Sequence, residues 1–478
     1  MRLLILFMLS VLIACAPKKA FEDAIYIENI TVIDPLDGTK EGQTVVIKEG
    51  KIHKIAPSAE LKLSSDNTII DGTGKFLMPG LWDAHVHFAY MEEIAPRMFD
   101  LFMLYGITSV RDTGGRIELV TDYKQQSLNN PTKAPRVKIA GPLLDGMPNV
   151  YDGSDPGHPP LSVGLKTVED VNNKIDELNE AGVDLLKAYE MLTPDQFVAV
   201  MKKAKELGLK VTGHVPLSMD VISASNGGLN SMEHLRNVEL SCASNAEELL
   251  AQRRKMLEND KDLSGSELRS SMHEAQRETA VNNFSEEKAK EVIETLARNR
   301  TWQIPTLALN TLRAELFMRQ PWWSESIQYL PDTTASRWQS IVDRMAGSEV
   351  PAFQQTYAAW MFKMVGQMHE AGVEFMAGTD TPIGFQTPGI SLHNELAMLV
   401  KAGFTPLGAI KSATYNPAFY FGMQDELGSV KEGMWADLLI LNADPLKDIE
   451  NTRQIDAVIK QGEYYNQEAL DKIRERLR

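Results

Sequence analysis

The sequence predicts an α/β chain, a (β/α)8 TIM-type barrel with a small β-sandwich domain built from both termini. Apolar strand-like runs alternate with helix-period stretches through the middle of the chain, the pattern of serial β/α units. Eight such runs occur, the number that closes a barrel of this type. Short β patterns punctuated by glycine fill both ends of the chain.

Residues 3–14 read LLILFMLSVLIA behind Arg2. That run is shorter than the roughly 20 residues a membrane-spanning helix needs, and it has the length of a signal-peptide core. It ends at Leu12-Ile13-Ala14-Cys15, which resembles a bacterial lipobox. The resemblance implies a signal peptide over 1–14 and a lipid on Cys15. It also implies a chain held on the membrane of the cell envelope, facing the periplasm. Ala16 stands where an inner-membrane retention signal has aspartate, which points to the outer membrane. A plain secretory signal with a stray cysteine is the alternative.

The ends come next. AIYIENITVID, QTVVIKEGKIHKIA and NTIIDG lie within 21–76, and GSVKEGMWADLLILNAD and DAVIKQGEYY within 421–466. Each set alone is short of a core, so the two predict one composite domain. The barrel is expected over 77–420, in runs ending at or near WDAHVHF, SVRDTGG, VKIAGP, DLLKAYE, KVTGHVP, SMEHL, QIPTLAL and FMAGTD. Helix periodicity covers 166–181 and 194–207, and Thr193-Pro194 is a helix start. The span exceeds the roughly 250 residues typical of the fold. Part of the excess is an insertion at 243–300, whose density of charge predicts exposed helices, as a lid or an outer decoration. A second extension, 311–365, carries Trp322, Trp323, Trp338 and Trp360, expected to pack it onto the barrel rather than to wall a substrate.

Composition excludes several classes. The net charge of −16 argues against a nucleic-acid partner, which would need a basic face. Two cysteines, Cys15 and Cys242, exclude a disulfide framework and a cysteine-rich zinc site. There is no phosphate loop, no Gly-x-Ser-x-Gly elbow and no plausible cysteine nucleophile. No basic cluster marks a carboxylate pocket.

The informative polar residues sit at strand ends. His85 and His87 close the first run, and strand alternation turns both to one side while Val86 faces the packing. Lys187 ends the fourth run, His214 the fifth, His234 the sixth and Asp380 the eighth. Each alone has an ordinary structural reading: a satisfied core histidine, a snorkelling lysine, an N-cap aspartate. Together they fall on the C-terminal face of the strands, where this fold carries its chemistry. Histidine and carboxylate are ordinary ligands of divalent zinc.

This constellation resembles the amidohydrolase superfamily. The text around it, in GLWDAHVHF, GITSVRDTGG, SMEHL, AGTDTP and SLHNELAMLVKAGFTPLGAIKSATYNPA, is similar to the imidazolonepropionase-like branch and its Xaa-Pro dipeptidase (prolidase-like) members. The resemblance implies two divalent metal ions, zinc first among the candidates. His85, His87 and Asp380 would hold the more buried ion, and His214 and His234 the more exposed one. Lys187, carboxylated by carbon dioxide, would bridge them. Imidazolonepropionases lack that lysine, so its presence favours the two-metal arrangement. The implied reaction is hydrolysis of an amide or peptide bond, in a dipeptide or N-acyl amino acid, by a hydroxide held between the metals. Asp380 would carry the proton. Tyr189, in Lys-x-Tyr, and His158, in SDPGHPP, resemble substrate-facing residues of that branch. His393 and Gly408 are expected to lie outside the site. Lactone, cyclic imide or phosphotriester hydrolysis, or a non-catalytic surface-anchored binding protein, are the alternatives. The sequence leaves the oligomeric state open.

Overall fold

The computed structural model describes residues 21–62, 67–259 and 262–478. The signal-like segment and Cys15 lie outside the described residues. Among the described residues no helix is long and apolar enough to cross a membrane.

The two ends of the chain share one sheet. Strands Ile25–Asp34, Gly38–Lys48, Lys51–Pro57, Thr68–Asp71 and Phe76–Pro79 are joined by Leu438–Leu441, Ile455–Lys460 and Glu463–Tyr465. The junction is the antiparallel pairing of Phe76–Pro79 with Leu438–Leu441, which sets Met78 against Leu439. Successive strand side chains point to opposite faces, and the two faces do different work. Ile27, Val45, Ile52, Leu77, Leu438, Ile440 and Ile459 bury one another in a core of their own, and an isolated bridge of Lys51 with Trp435 ties the third strand to the segment before Leu438. Ile33, Met78, Leu439 and Val458 face the other way and enter the main core. Fully burying each such side chain contributes about 1.5–3 kcal/mol. The contact is close: Gly106 has φ of +73°, and a Cβ there would lie 2.3 Å from Leu439.

The middle of the chain is α/β with parallel strands. One sheet contains Leu81–Val86, Ile107–Asp112 and Arg136–Ile139. The other runs Ser162–Gly164, Leu143–Asp145, Leu185–Ala188, Lys210–Gly213, Ser231–Glu233 and Trp302–Ile304. Seven of the eight strand-like runs contain one of these strands. The eighth, 373–380, pairs through isolated parallel bridges, Gln303 with Phe375 and, just past its end, Val86 with Thr381. Its backbone is held on the first strand by Ala84 N to Ala377 O at 2.9 Å and Asp380 N to His85 O at 2.8 Å. Leu143–Asp145 and Ser162–Gly164 were not expected, and both are only three residues long.

Helices alternate with these strands. Val168–Glu180 and Pro194–Leu207 fill the expected stretches. Thr193 caps the second by accepting from Gln196 N, Pro194 occupies the first turn, and Gly208 in the left-handed region ends it; a cap of this kind contributes about 1 kcal/mol. In the extension, Trp323 is buried and donates to Phe385 O at 2.9 Å, and Trp338 meets the same ring edge-on. These tryptophans pack the extension, as expected from their number and spread. The charge-dense insertion forms helices Ala246–Asn259, Gly265–Asn282 and Glu286–Asn299. The expectation of exposed helices needs correcting for the middle one, which buries Leu268, Met272, His273 and Gln276.

Candidate metal centre

His85 lies in Leu81–Val86, a strand buried along its whole length, and His87 follows it immediately. Buried Asp83 fixes this strand to the eighth run: its Oδ1 accepts from His85 N at 3.1 Å and Thr379 N at 3.0 Å, and its Oδ2 accepts the Thr379 hydroxyl at 2.7 Å. Gly378 allows the approach, since a Cβ there would sit 2.8 Å from the His85 Cβ. Asp380 therefore arrives beside both histidines. Its Oδ1 is 3.1 Å from His85 Nε2 and 3.1 Å from His87 Nε2, and the two Nε2 atoms are 3.3 Å apart. These three residues are buried, with ligand atoms mutually within 4.8 Å.

Each histidine is oriented from its far side. His85 Nδ1 donates to Glu233 Oε2 at 2.7 Å, His87 Nδ1 to Gly114 O at 2.8 Å, and His214 Nδ1 to Glu190 Oε1 at 2.5 Å. His234 Nδ1 lies 2.6 Å from the Thr306 hydroxyl. A donating Nδ1 leaves Nε2 as a bare lone pair. Two such lone pairs and a carboxylate oxygen within 3.3 Å of one another repel unless a proton or a metal cation lies among them. A histidine whose outer nitrogen is tied to a carboxylate or carbonyl is the ordinary support of a metal ligand. His234 Nε2 is 3.5 Å from Asp380 Oδ2, and the His234 ring lies 4.8 Å from that of His85 and 4.9 Å from that of His214. His234, Thr306 and Asp380 hold positive φ, a backbone state that costs roughly 1–3 kcal/mol per residue and clusters at functional sites.

Burial sets the charges. It pushes His214 and His234 well below their usual value, so both are neutral. Burial also opposes charge on His85, but Asp380 and Glu233 outweigh it and raise that imidazole. Glu233 and Asp380 stay ionised against burial, Glu233 through Arg111 and Lys187, Asp380 chiefly through His85. Lys187 is buried, its Nζ has no hydrogen-bond partner, and burial lowers its pKa to about 8.

His85, His87, Lys187, His214, His234 and Asp380 all line one cavity of about 270 Å³. Tyr189 lines it too, its ring 4.4 Å from His214. His158 is not part of that lining: it pairs with Asp155 at 3.0 Å and lies against Tyr151, which is. His393 is buried between Thr452 and Tyr105 O, and Gly408 N is taken by the Thr405 cap, both away from the cavity. The sequence reading missed Glu190, Glu233, Arg111, Arg236 and Arg269. Charged residues inside otherwise apolar strands, in SVRD, KAYE and SMEHL, were the available signal for the first three.

Residues 323–464 match the family described as the amidohydrolase family. The match covers less than a third of the chain. Asp380 lies inside the matched stretch, and the four histidines and Lys187 precede it. Ochratoxinase from Aspergillus niger is 41% identical over 91 residues, 19% of this chain and 18% of that protein. The match thus spans less than a fifth of the curated relative's length. Two solved structures share the fold over nearly the whole chain. A Xaa-Pro dipeptidase with bound methionine in its active site has a TM-score of 0.65 at 19% identity, covering 93% of this chain and 100% of that one. A putative prolidase from Bifidobacterium longum has a TM-score of 0.63 at 22% identity, covering 95% and 98%.

Proposed function

We propose that this chain is a metal-dependent hydrolase of the amidohydrolase family that cleaves an amide or peptide bond in a small substrate, a dipeptide or an N-acyl amino acid. The observation that carries the reading is the convergence of four imidazoles, Asp380 and an unpartnered buried lysine amine on one cavity. In this reading the seven strands that fall in the expected runs and residues 373–381 form one closed eight-stranded barrel, with the cavity at the C-terminal ends of its strands.

The donor set fits two divalent ions. His85, His87 and Asp380 suit one, and His214 and His234 suit the other. Lys187, carboxylated to a carbamate, would be the residue shared by the two ions. An amine with a pKa near 8 is roughly one-tenth neutral at pH 7, and the neutral amine is the form that adds to carbon dioxide. Bound divalent ions would lower the pKa of a water from 15.7 to about 7 and polarise a carbonyl. Asp380 is placed to take the proton of the attacking water and hand it to the leaving nitrogen. Glu233, Gly114 and Glu190 hold the histidine rings in one orientation throughout. Leu143, Leu161, Leu309 and Ile383 give the cavity apolar walls, which suits an apolar acyl or side-chain group.

The test is a panel of dipeptides, N-acyl amino acids, lactones, cyclic imides and phosphotriesters. It is run on protein reconstituted with zinc, manganese or cobalt, with and without bicarbonate. The proposal expects turnover of amide bonds that needs metal and rises with bicarbonate. Turnover confined to lactones or phosphotriesters, or none with any metal, would overturn it.

A further inference from the structure

We infer that Arg236, on the cavity wall beside Arg269, is a receptor for a free carboxylate on the substrate. This rests on reading the metal cavity as a substrate pocket, and it corrects the expectation from sequence that no basic cluster serves a carboxylate.

The two arginines come from separate parts of the chain. Arg236 lies two residues after His234, beyond the strand Ser231–Glu233, and Arg269 projects from the insertion helix Gly265–Asn282. Both line the metal cavity, and both also line an outer hollow of about 500 Å³ together with Arg277. They therefore form the wall between the two spaces, where a substrate group would enter beside the metal ligands.

Their charges are satisfied unequally. Arg269 Nε donates to Glu190 Oε1 at 3.0 Å. Glu190 also receives His214 at 2.5 Å and His273 at 2.9 Å, so its acceptor capacity is largely used. Burial lowers His273 to about 3, so that ring adds no charge. Arg236 comes no closer to Glu190 than 4.0 Å. Its side chain is only 17% exposed, and its Nε is a buried donor without an acceptor. Glu190 thus engages Arg269 directly and leaves the Nε of Arg236 without an acceptor at the cavity wall. A buried donor left unpaired is unfavourable, and a guanidinium fork matches a carboxylate in two parallel hydrogen bonds. The cavity is smaller than the roughly 300–1,000 Å³ of drug-sized pockets, so the ligand is small. Apolar walls, a floor of candidate metal ligands and a guanidinium with an unpaired donor select a short apolar amino-acid derivative with its carboxylate free. Neutral lactones, imides and phosphotriesters make no use of Arg236.

The test uses L-leucine and L-leucinol, which differ in the carboxylate and are not substrates for amide hydrolysis. Each is titrated calorimetrically into the metal-loaded full chain, as wild type, Arg236→Gln and Arg236→Lys. Wild type should bind leucine about 10- to 100-fold more tightly than leucinol. Arg236→Gln should bring that ratio within about threefold, and Arg236→Lys should keep part of it, which shows that the site still folds. Equal binding of the two ligands by wild type, no binding of leucine, or an unchanged ratio in Arg236→Gln overturns the inference. Hydrolysis is read separately with N-acetyl-L-leucine and N-acetyl-L-leucinamide. Turnover with no preference for the free acid leaves the hydrolase reading standing and removes the receptor. Arg236-dependent leucine binding without any hydrolysis does the reverse.

Discussion

Replacing Glu233 with glutamine tests whether the charge behind the histidines is structural. Glu233 is fully buried at the end of the strand Ser231–Glu233. One oxygen takes the His85 Nδ1 proton at 2.7 Å; the other takes Arg111, also fully buried, at 2.7 Å, together with the Thr212 hydroxyl. Glutamine keeps the shape but offers one acceptor where two are used. Its amide nitrogen must face either the imidazole N–H or the guanidinium, donor against donor. The larger loss is charge, because Arg111 becomes an uncompensated buried cation. Breaking a buried pair in this way costs about 3–5 kcal/mol. Urea unfolding of the metal-free protein, followed by tryptophan fluorescence, should show Glu233→Gln less stable by that amount. Metal affinity should fall 10- to 100-fold as His85 loses its orienting partner. Arg111→Met in the same background should recover part of the stability, since the two removals share one interaction. A loss below about 1 kcal/mol, or strict additivity of the two changes, would refute the account of this network.

Other outcomes are equally specific. Asp380→Asn should keep more metal than Lys187→Met, because an amide oxygen still ligates. It should nonetheless lose roughly 10²–10⁴ in kcat because it cannot accept a proton. Burial lowers His393 from 6.5 to about 3. The unfolded chain takes up this proton near pH 6.5 and the folded chain only near 3, so the residue's contribution is full above pH 6.5 and is lost between 6.5 and 3. The unfolding free energy of wild type relative to His393→Gln should then fall by about 1.4 kcal/mol per pH unit across that window, and a pH-independent difference would contradict it. Cys15→Ser should move the protein out of the membrane fraction; unchanged fractionation and an unchanged N-terminal mass would remove the lipid anchor.

The residues that converge on the cavity were legible because each sits at the end of an apolar run, where alternation fixes which side chains turn to one side. His85 and His87 followed from that rule, as did the expectation for Tyr189 two residues past Lys187. Thr193-Pro194 was legible from capping chemistry alone. Arg236 and Arg269 were not, because their meeting depends on a helix 30 residues downstream folding back over the cavity. The insertion looked solvent-exposed because of its charge, yet Arg269 and His273 find their partner in Glu190 rather than in water. His158 was singled out by a local match to a motif alone; in the structure its ring pairs with Asp155, three residues earlier, and rests on Tyr151.

The central claim is a two-ion site bridged through Lys187, and the metal content of the purified, reconstituted chain tests it most directly. Elemental analysis should give two divalent ions per chain in bicarbonate-containing buffer. It should give one or fewer in Lys187→Met, a change of similar length that removes the amine with little change in volume. One ion per fully loaded wild-type chain, or two ions retained in Lys187→Met, would contradict the account.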